Sequence, residues 1–294
     1  MVLSLIGLIA LLDLGLRLAE PRLSRNLAHI AAIPQIMAGG SQPDAHSMLL
    51  LGNSLINNGV AAPLIADALP GVSVAKVTPD ATTLWDWQCL LDHQLIARDG
   101  VHFETVVIGF AWNVLSDQMR SDASRLGGSY CKWSDLKRAN TVGLQGSGDI
   151  GEFLAASVLR TYALRDTLRN RFFQLGVPSY AQFTRADNTA ATVSTERSEE
   201  PSYSYRTLSG LVERLTDYGT RVILVAMPVQ SRYDIDSQLL SLIDTSSLTL
   251  IDLRNVAGLD ASHYLDEMHL NDVGQQMVSE ALAEQLHAGL ATPT

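Results

Sequence analysis

The sequence is short of cysteine, of basic runs and of long uncharged stretches, and each shortage closes off a class of protein. Two cysteines in 294 residues, Cys89 and Cys131, make neither a zinc-binding spacing nor a CxxC motif. They leave two readings open: one disulfide in an exported protein, or a pair of buried thiols. Lysine and arginine total 21 against 31 acidic residues, a net charge of −10. An acidic chain without a basic stripe repels a phosphate backbone, which argues against nucleic acid as a partner. No internal repeat is present. What the chain does have is 47% hydrophobic residues over a length that suits one large domain or two small ones. Only Asp187–Pro201 has the polar composition of a disordered segment.

The N-terminus is apolar but brief. Val2–Leu12 carries no charge, Asp13 interrupts it, and a spanning helix needs roughly 20 apolar residues. A signal peptide wants basic residues before its apolar run; here Arg17, Arg22 and Arg25 come after it. The first reading is a marginal signal-anchor within residues 1–30, which would make the protein membrane-anchored or extracytoplasmic. The second is an amphipathic helix lying on the membrane or on the domain, and the third a soluble helix.

Beyond it, Asn26–His46 is punctuated by Pro34, Gly39, Gly40 and Pro43 and reads as a connector. Short apolar, β-branched runs follow at Ser47–Leu51, Val72–Val77, Thr105–Phe110, Arg221–Ala226 and Leu248–Leu253. Helical patterns fall at Val60–Leu69, Leu84–Ala97, Asp149–Leu175, Tyr203–Tyr218 and Val273–Leu290. Strands alternating with helices predict an α/β fold with a parallel sheet covered on both faces. About a hundred residues separate strands three and four where a crossover takes roughly a dozen, so a helical insertion at about 117–202 is expected within a single domain of residues 31–294.

In such a sheet, ligands gather at the carboxyl ends of the strands. Ser54 follows strand one, Asn113 follows strand three, and the turn Thr78–Thr83 follows strand two. A hydroxyl needs a base to become a nucleophile, and His269 is the candidate base near neutral pH. Asp266, three residues earlier, would fix its tautomer and stabilise its charged form. Each residue has a plainer reading. Ser54 is a plausible helix N-cap, Asp266 and Asn271 can cap the last helix, and Asn113 can be a turn residue. Together, with strand context at both ends, they point to a serine esterase. Its oxyanion donors would be the Ser54 amide, the Asn113 side chain and an amide from Asp80, Ala81 or Thr82, of which Ala81 is the choice.

Gly52-Asn53-Ser54-Leu55, Val106-Val107-Ile108 leading to Asn113, and Asp266-x-x-His269-Leu270-Asn271 with Gly274 resemble the SGNH (GDSL) hydrolase family, in family order over residues 48–274. The resemblance implies a flavodoxin-like three-layer α/β/α sandwich with a five-stranded parallel sheet. It implies Ser54, Asp266 and His269 as catalytic residues, Asn113 in the oxyanion hole, and no metal or organic cofactor. Three departures stand out. Asn53 replaces the motif aspartate, Ala111-Trp112-Asn113-Val114 keeps only the asparagine of the family's Gly-x-Asn-Asp, and Thr78-Pro79-Asp80-Ala81-Thr82-Thr83 lacks the glycine whose amide completes the family's oxyanion hole. The resemblance also suggests an acyl ester substrate, small or carried on a polysaccharide, and an O-acetyltransferase or an inactive binding protein as alternatives. Trp85, Trp87, Trp112 and Trp133 fall near the predicted site loops, with at least two of them expected in the core.

Three signals are set aside. Gly146-Ser147-Gly148-Asp149-Ile150-Gly151 fits GxGxxG but follows a poor strand and carries acidic residues where pyrophosphate would bind. Cys89 and His93 are two potential ligands, too few for a metal site. Arg160, Arg165, Arg169 and Arg171 read first as a solvated helix face and second as a dock for an anionic membrane or polymer.

Overall fold

The computed structural model describes residues 2–42, 45–138, 143–176 and 203–290. Asp187–Pro201 and the end of the expected insertion lie outside the described residues. Five parallel strands run in the order β2-β1-β3-β4-β5: β1 His46–Leu51, β2 Val72–Val77, β3 Thr105–Phe110, β4 Arg221–Ala226 and β5 Thr249–Asp252. This is the flavodoxin-like order, with a switch point between β1 and β3 where the chain turns outward on either side.

Alternation along the strands divides the core into two layers. Leu49, Leu51, Val106, Ile108, Val222 and Leu224 face one side. There they meet helices α2 (Arg25–Gly40), α5 (Leu84–Leu91), α10 (Arg206–Asp217) and α11 (Ser237–Thr245). Met48, Leu50, Val107, Ile223 and Val225 face the other side. They pack on α3 (Ser54–Gly59), α4 (Ala62–Ala68) and α12 (Asp272–Leu290). β3 is buried at every residue, so both of its faces are apolar and the strand reads as a continuous run.

Two expectations at the N-terminus need correcting. Residues 26–40 of the supposed connector lie in α2, capped by the Ser24 hydroxyl, which accepts from the Leu27 amide at 3.1 Å; Pro43 lies outside the described residues. Gly40 marks a close approach rather than a break: a Cβ there would lie 2.4 Å from the Ala75 Cβ on β2. The apolar start is α1 (Val2–Leu23), separated from α2 at Ser24. Among the described residues no helix is long and apolar enough to cross a membrane, so the signal-anchor reading finds no spanning helix.

The insertion is helical where described: α6 (Ala123–Arg125), α7 (Gly146–Val158), α8 (Arg160–Ala163) and α9 (Arg165–Gly176). The GxGxxG glycines form the first turns of α7, with Asp149 accepting from the Gln145 amide at 2.7 Å. A disulfide joins Cys89 on α5 to Cys131 just past α6, which resolves the two cysteine readings. The bond staples the insertion to the helix that begins beside the pocket.

Candidate active site

Ser54 stands at the sheet's switch point. β1 ends at Leu51, and α3 starts at Ser54. The cap of α3 is Asn53, whose Oδ1 accepts from the Leu55 amide at 3.0 Å. The capping role considered for Ser54 thus belongs to its neighbour, and the serine hydroxyl is left for other work. α3 can lie against the strand ends because Gly109 on β3 has no side chain: a Cβ there would sit 2.0 Å from the Ile56 Cδ1.

From the other end of the chain, a tight loop presents His269. The Leu265 amide donates to the His269 carbonyl at 2.7 Å, and the Asn271 amide to the His263 carbonyl at 2.9 Å. Asn271 Oδ1 accepts from the Gly274 amide at 3.0 Å, so Asn271 does serve as a capping residue at the start of α12. Asp266 Oδ1 accepts from the amides of Met268 and His269, both at 2.9 Å. Its second oxygen, Oδ2, lies 2.8 Å from His269 Nδ1. His269 Nε2 lies 2.9 Å from Ser54 Oγ. Residues 215 apart in sequence are therefore joined in one line of hydrogen bonds. Partial burial pushes the Asp266 carboxyl upward. The bonds from the His269 ring and the two amides outweigh that and hold it below the ordinary carboxylate range.

A cavity of about 680 Å³ opens over Ser54 and His269. Trp112, Val114, Met119 and Met268 give it apolar walls, and among the described residues Asp80 is its only Asp, Glu, Lys or Arg. Trp112 is 37% exposed and sits 5.8 Å from Tyr233, ring centre to ring centre. Trp85 and Trp87 are core residues, at 4% and 0% exposed. Trp133 is exposed and is absent from the cavity lining.

The second wall of the cavity is the turn after β2. Ala81 has φ +57°, left-handed backbone that disfavours side chains. This is the conformation a glycine supplies freely, at the place where the sequence resemblance leads one to expect a glycine. Of the three candidate amides, that of Asp80 already donates to Asn26 Oδ1 at 2.9 Å. The turn is held from several sides. Asn53 Nδ2 donates to the Thr82 carbonyl at 3.2 Å, a bond that an aspartate at this position could not make. The buried Asp86 accepts from the Thr83 amide at 2.9 Å, from Ser121 Oγ at 2.8 Å and from the Arg125 guanidinium at 3.0 Å. Asn113 also lines the cavity and follows a second left-handed residue, Trp112 at φ +50°. The sequence-predicted residues Ser54, Asp266 and His269 are thus in contact, and Asn113 and Ala81 face the same space. Asn53 and the Asp86–Arg125 pair were missed. Both depend on contacts between segments remote in sequence, for which the local pattern holds no signal.

No family model matches the chain, and no curated protein does. Among solved structures it is similar to one described as an acylhydrolase, to acetylxylan esterases and to one described as a lipolytic protein of the G-D-S-L family. A catalytic mutant of Axe2, an acetylxylan esterase from Geobacillus stearothermophilus, is 13% identical, with 81% of this chain and 93% of that chain covered and a TM-score of 0.41. A protein described as lipolytic and of the G-D-S-L family, from Desulfitobacterium hafniense, is 9% identical, with 81% and 97% covered and a TM-score of 0.40. LAE5, an alpha/beta hydrolase enzyme from the metagenome of Lake Arreo, Spain, is 12% identical, with 84% and 96% covered and a TM-score of 0.41.

The strained alanine gives a direct test of the turn. A left-handed non-glycine residue costs about 1–2 kcal/mol, while glycine adds unfolded-chain entropy worth about 0.4–1 kcal/mol. Ala81→Gly is therefore expected to hold or slightly raise the melting temperature. Ala81→Val, β-branched at positive φ, is expected to lower it. Calorimetry reads the pair.

Proposed function

We propose that the chain is an SGNH-type serine ester hydrolase whose nucleophile is Ser54. The observation that carries this reading is the unbroken line from Ser54 Oγ through the His269 ring to Asp266, at 2.9 and 2.8 Å. His269 Nε2 takes the hydroxyl proton as Oγ attacks the ester carbonyl. The resulting oxyanion is met by the Ser54 amide, the Ala81 amide and the Asn113 side chain. Collapse breaks the bond to the leaving alkoxide, which takes the proton from His269 and departs as an alcohol. Water, activated by the same imidazole, then releases the acid and restores Ser54.

The lining favours a neutral ester. Among the described residues it has no lysine or arginine to hold a phosphate or a second carboxylate, and Asp80 would repel one. The partly exposed Trp112 offers a flat platform of the kind that packs against a sugar ring, so an O-acetyl group on a carbohydrate is the substrate we infer. The intact hydrogen-bonded line supports an active site over an inactive binding fold.

A fluorophosphonate probe tests the chemistry. Covalent labelling confined to Ser54 is expected; folded protein that takes up no label would overturn the reading. Acetylated xylan, alginate and peptidoglycan fragments, assayed beside short p-nitrophenyl esters, then identify the carrier.

A further inference from the structure

Helix α1 is inside out for a helix packed on a protein domain. Such helices turn charge to solvent and leucine to the core. Here Asp13 is buried, accepting from the Thr161 amide at 3.0 Å and from Arg17 Nε at 2.8 Å. Glu20, on the same face, pairs with the largely buried Arg160, with Nε to Oε2 at 2.6 Å. The opposite face is apolar and open: Leu8, Leu11 and Leu18 are 64%, 69% and 74% exposed. Asp13, Arg17 and Glu20 each bond to residues of the insertion, so charged groups help to hold this orientation.

Two further bonds tie the helix to the insertion: Arg17 donates to the Val158 carbonyl at 2.9 Å, and Arg171 to the Leu23 carbonyl at 2.7 Å. Leu11, Leu18 and Arg22 succeed one another at seven and four residues, so they share one face. Arg22, Arg25 and Arg171 are exposed at this end of the molecule, and Arg169 is exposed but paired with Asp166 at 3.0 Å, in a chain of net charge −10.

We propose that this face docks on the surface of an anionic lipid bilayer, with α1 lying in the interfacial plane. The leucines from Leu8 to Leu18 span about 15 Å of helix, enough to enter the headgroup–acyl boundary without crossing it. The arginines at its end match anionic headgroups and can lay their apolar stems along the same face. A partner helix would instead need acidic residues to meet those arginines. In a second copy of this chain the α1 face offers none, because Asp13 and Glu20 are turned inward and paired. The docked face is also near the catalytic pocket. α2 begins at Arg25, and its Asn26 holds the Asp80 amide of the pocket wall.

The test is flotation of the full chain with vesicles of phosphatidylcholine alone or with about one-third phosphatidylglycerol. The protein is expected to float with the anionic vesicles and to bind them about tenfold more weakly at high salt. Leu11→Glu with Leu18→Glu is expected to weaken flotation by at least about tenfold, with p-nitrophenyl acetate turnover and the thermal melt unchanged. Arg22→Glu with Arg25→Glu should reduce binding to anionic vesicles while sparing turnover. Full chain that stays in the buffer fraction, or a Leu→Glu pair that floats as well as the parent, would overturn the proposal. So would a concentration-dependent dimer in light scattering that the Leu→Glu pair abolishes and vesicles leave intact. Turnover is read separately, so loss of esterase activity would count against the proposed chemistry and not against docking.

Discussion

Ser54→Ala is expected to cut kcat on an acetyl ester by about 10⁴-fold or more while leaving the fold unchanged. The two halves of this expectation rest on different atoms. The Oγ makes the 2.9 Å contact with His269 Nε2, and without it no acyl-enzyme can form. What survives is the background that oxyanion donors and substrate positioning supply. The stability half rests on Asn53. Had Ser54 been the N-cap of α3, its loss would cost about 1 kcal/mol and confuse any reading of activity. Asn53 caps the helix instead, and alanine is a good residue at the first helical position. A variant with the parent's denaturation midpoint and no turnover therefore isolates the chemistry. Equal turnover in parent and variant would remove Ser54 from the mechanism.

The parts of the protein legible in its sequence are those fixed by local pattern. Val72–Val77, Thr105–Phe110 and Arg221–Ala226 are strands at the positions that their apolar, β-branched composition indicates. Strand ends then fix where Ser54 and Asn113 must lie, because the carboxyl edge of a parallel sheet is a single place. The Asp266–His269 pair was legible for a different reason: a three-residue spacing lets one carboxylate hold both the loop amides and the ring.

What pattern misreads is context. Pro34, Gly39 and Gly40 look like loop punctuation, yet they lie in α2. Pro34 gives up one hydrogen bond, and Gly40 is there so the helix can touch Ala75. Ala81 is the converse case. Nothing about an alanine announces a positive φ, so the turn had to be seen before the missing glycine could be understood as a strained replacement. The two halves of the Asp86–Arg125 pair are 39 residues apart, across the start of the insertion, and their separation carries no local signature. α1 was misleading because its apolar residues suggest a span, whereas its charges are what attach it to the domain.

Asp266→Asn is expected to lower kcat by about 10³–10⁴-fold with little loss of stability. Asparagine keeps an oxygen that can accept from the Met268 and His269 amides, so the loop geometry survives. The group facing His269 Nδ1 changes from an acceptor to an N–H donor. That forces the ring into the tautomer with its proton on Nε2, where it meets the Ser54 hydroxyl with a donor instead of a lone pair. Asp266→Ala, by contrast, removes the amide bonds as well and should lower the melting temperature along with kcat. Comparing the two separates tautomer control from loop support. The pH dependence follows from the depressed carboxyl. A group whose folded pKa lies below its unfolded value contributes its stability in full above the unfolded value and loses it as pH falls through the folded one. Asp266 therefore stays ionised throughout the neutral range, and the asparagine variant should be slow at every pH between about 5 and 9 rather than shifted in optimum. The carboxylate is 55% exposed, so water competes for the ring. A loss under about tenfold would mean that solvent orients His269 as well as Asp266 does, and that the working unit is a Ser–His pair.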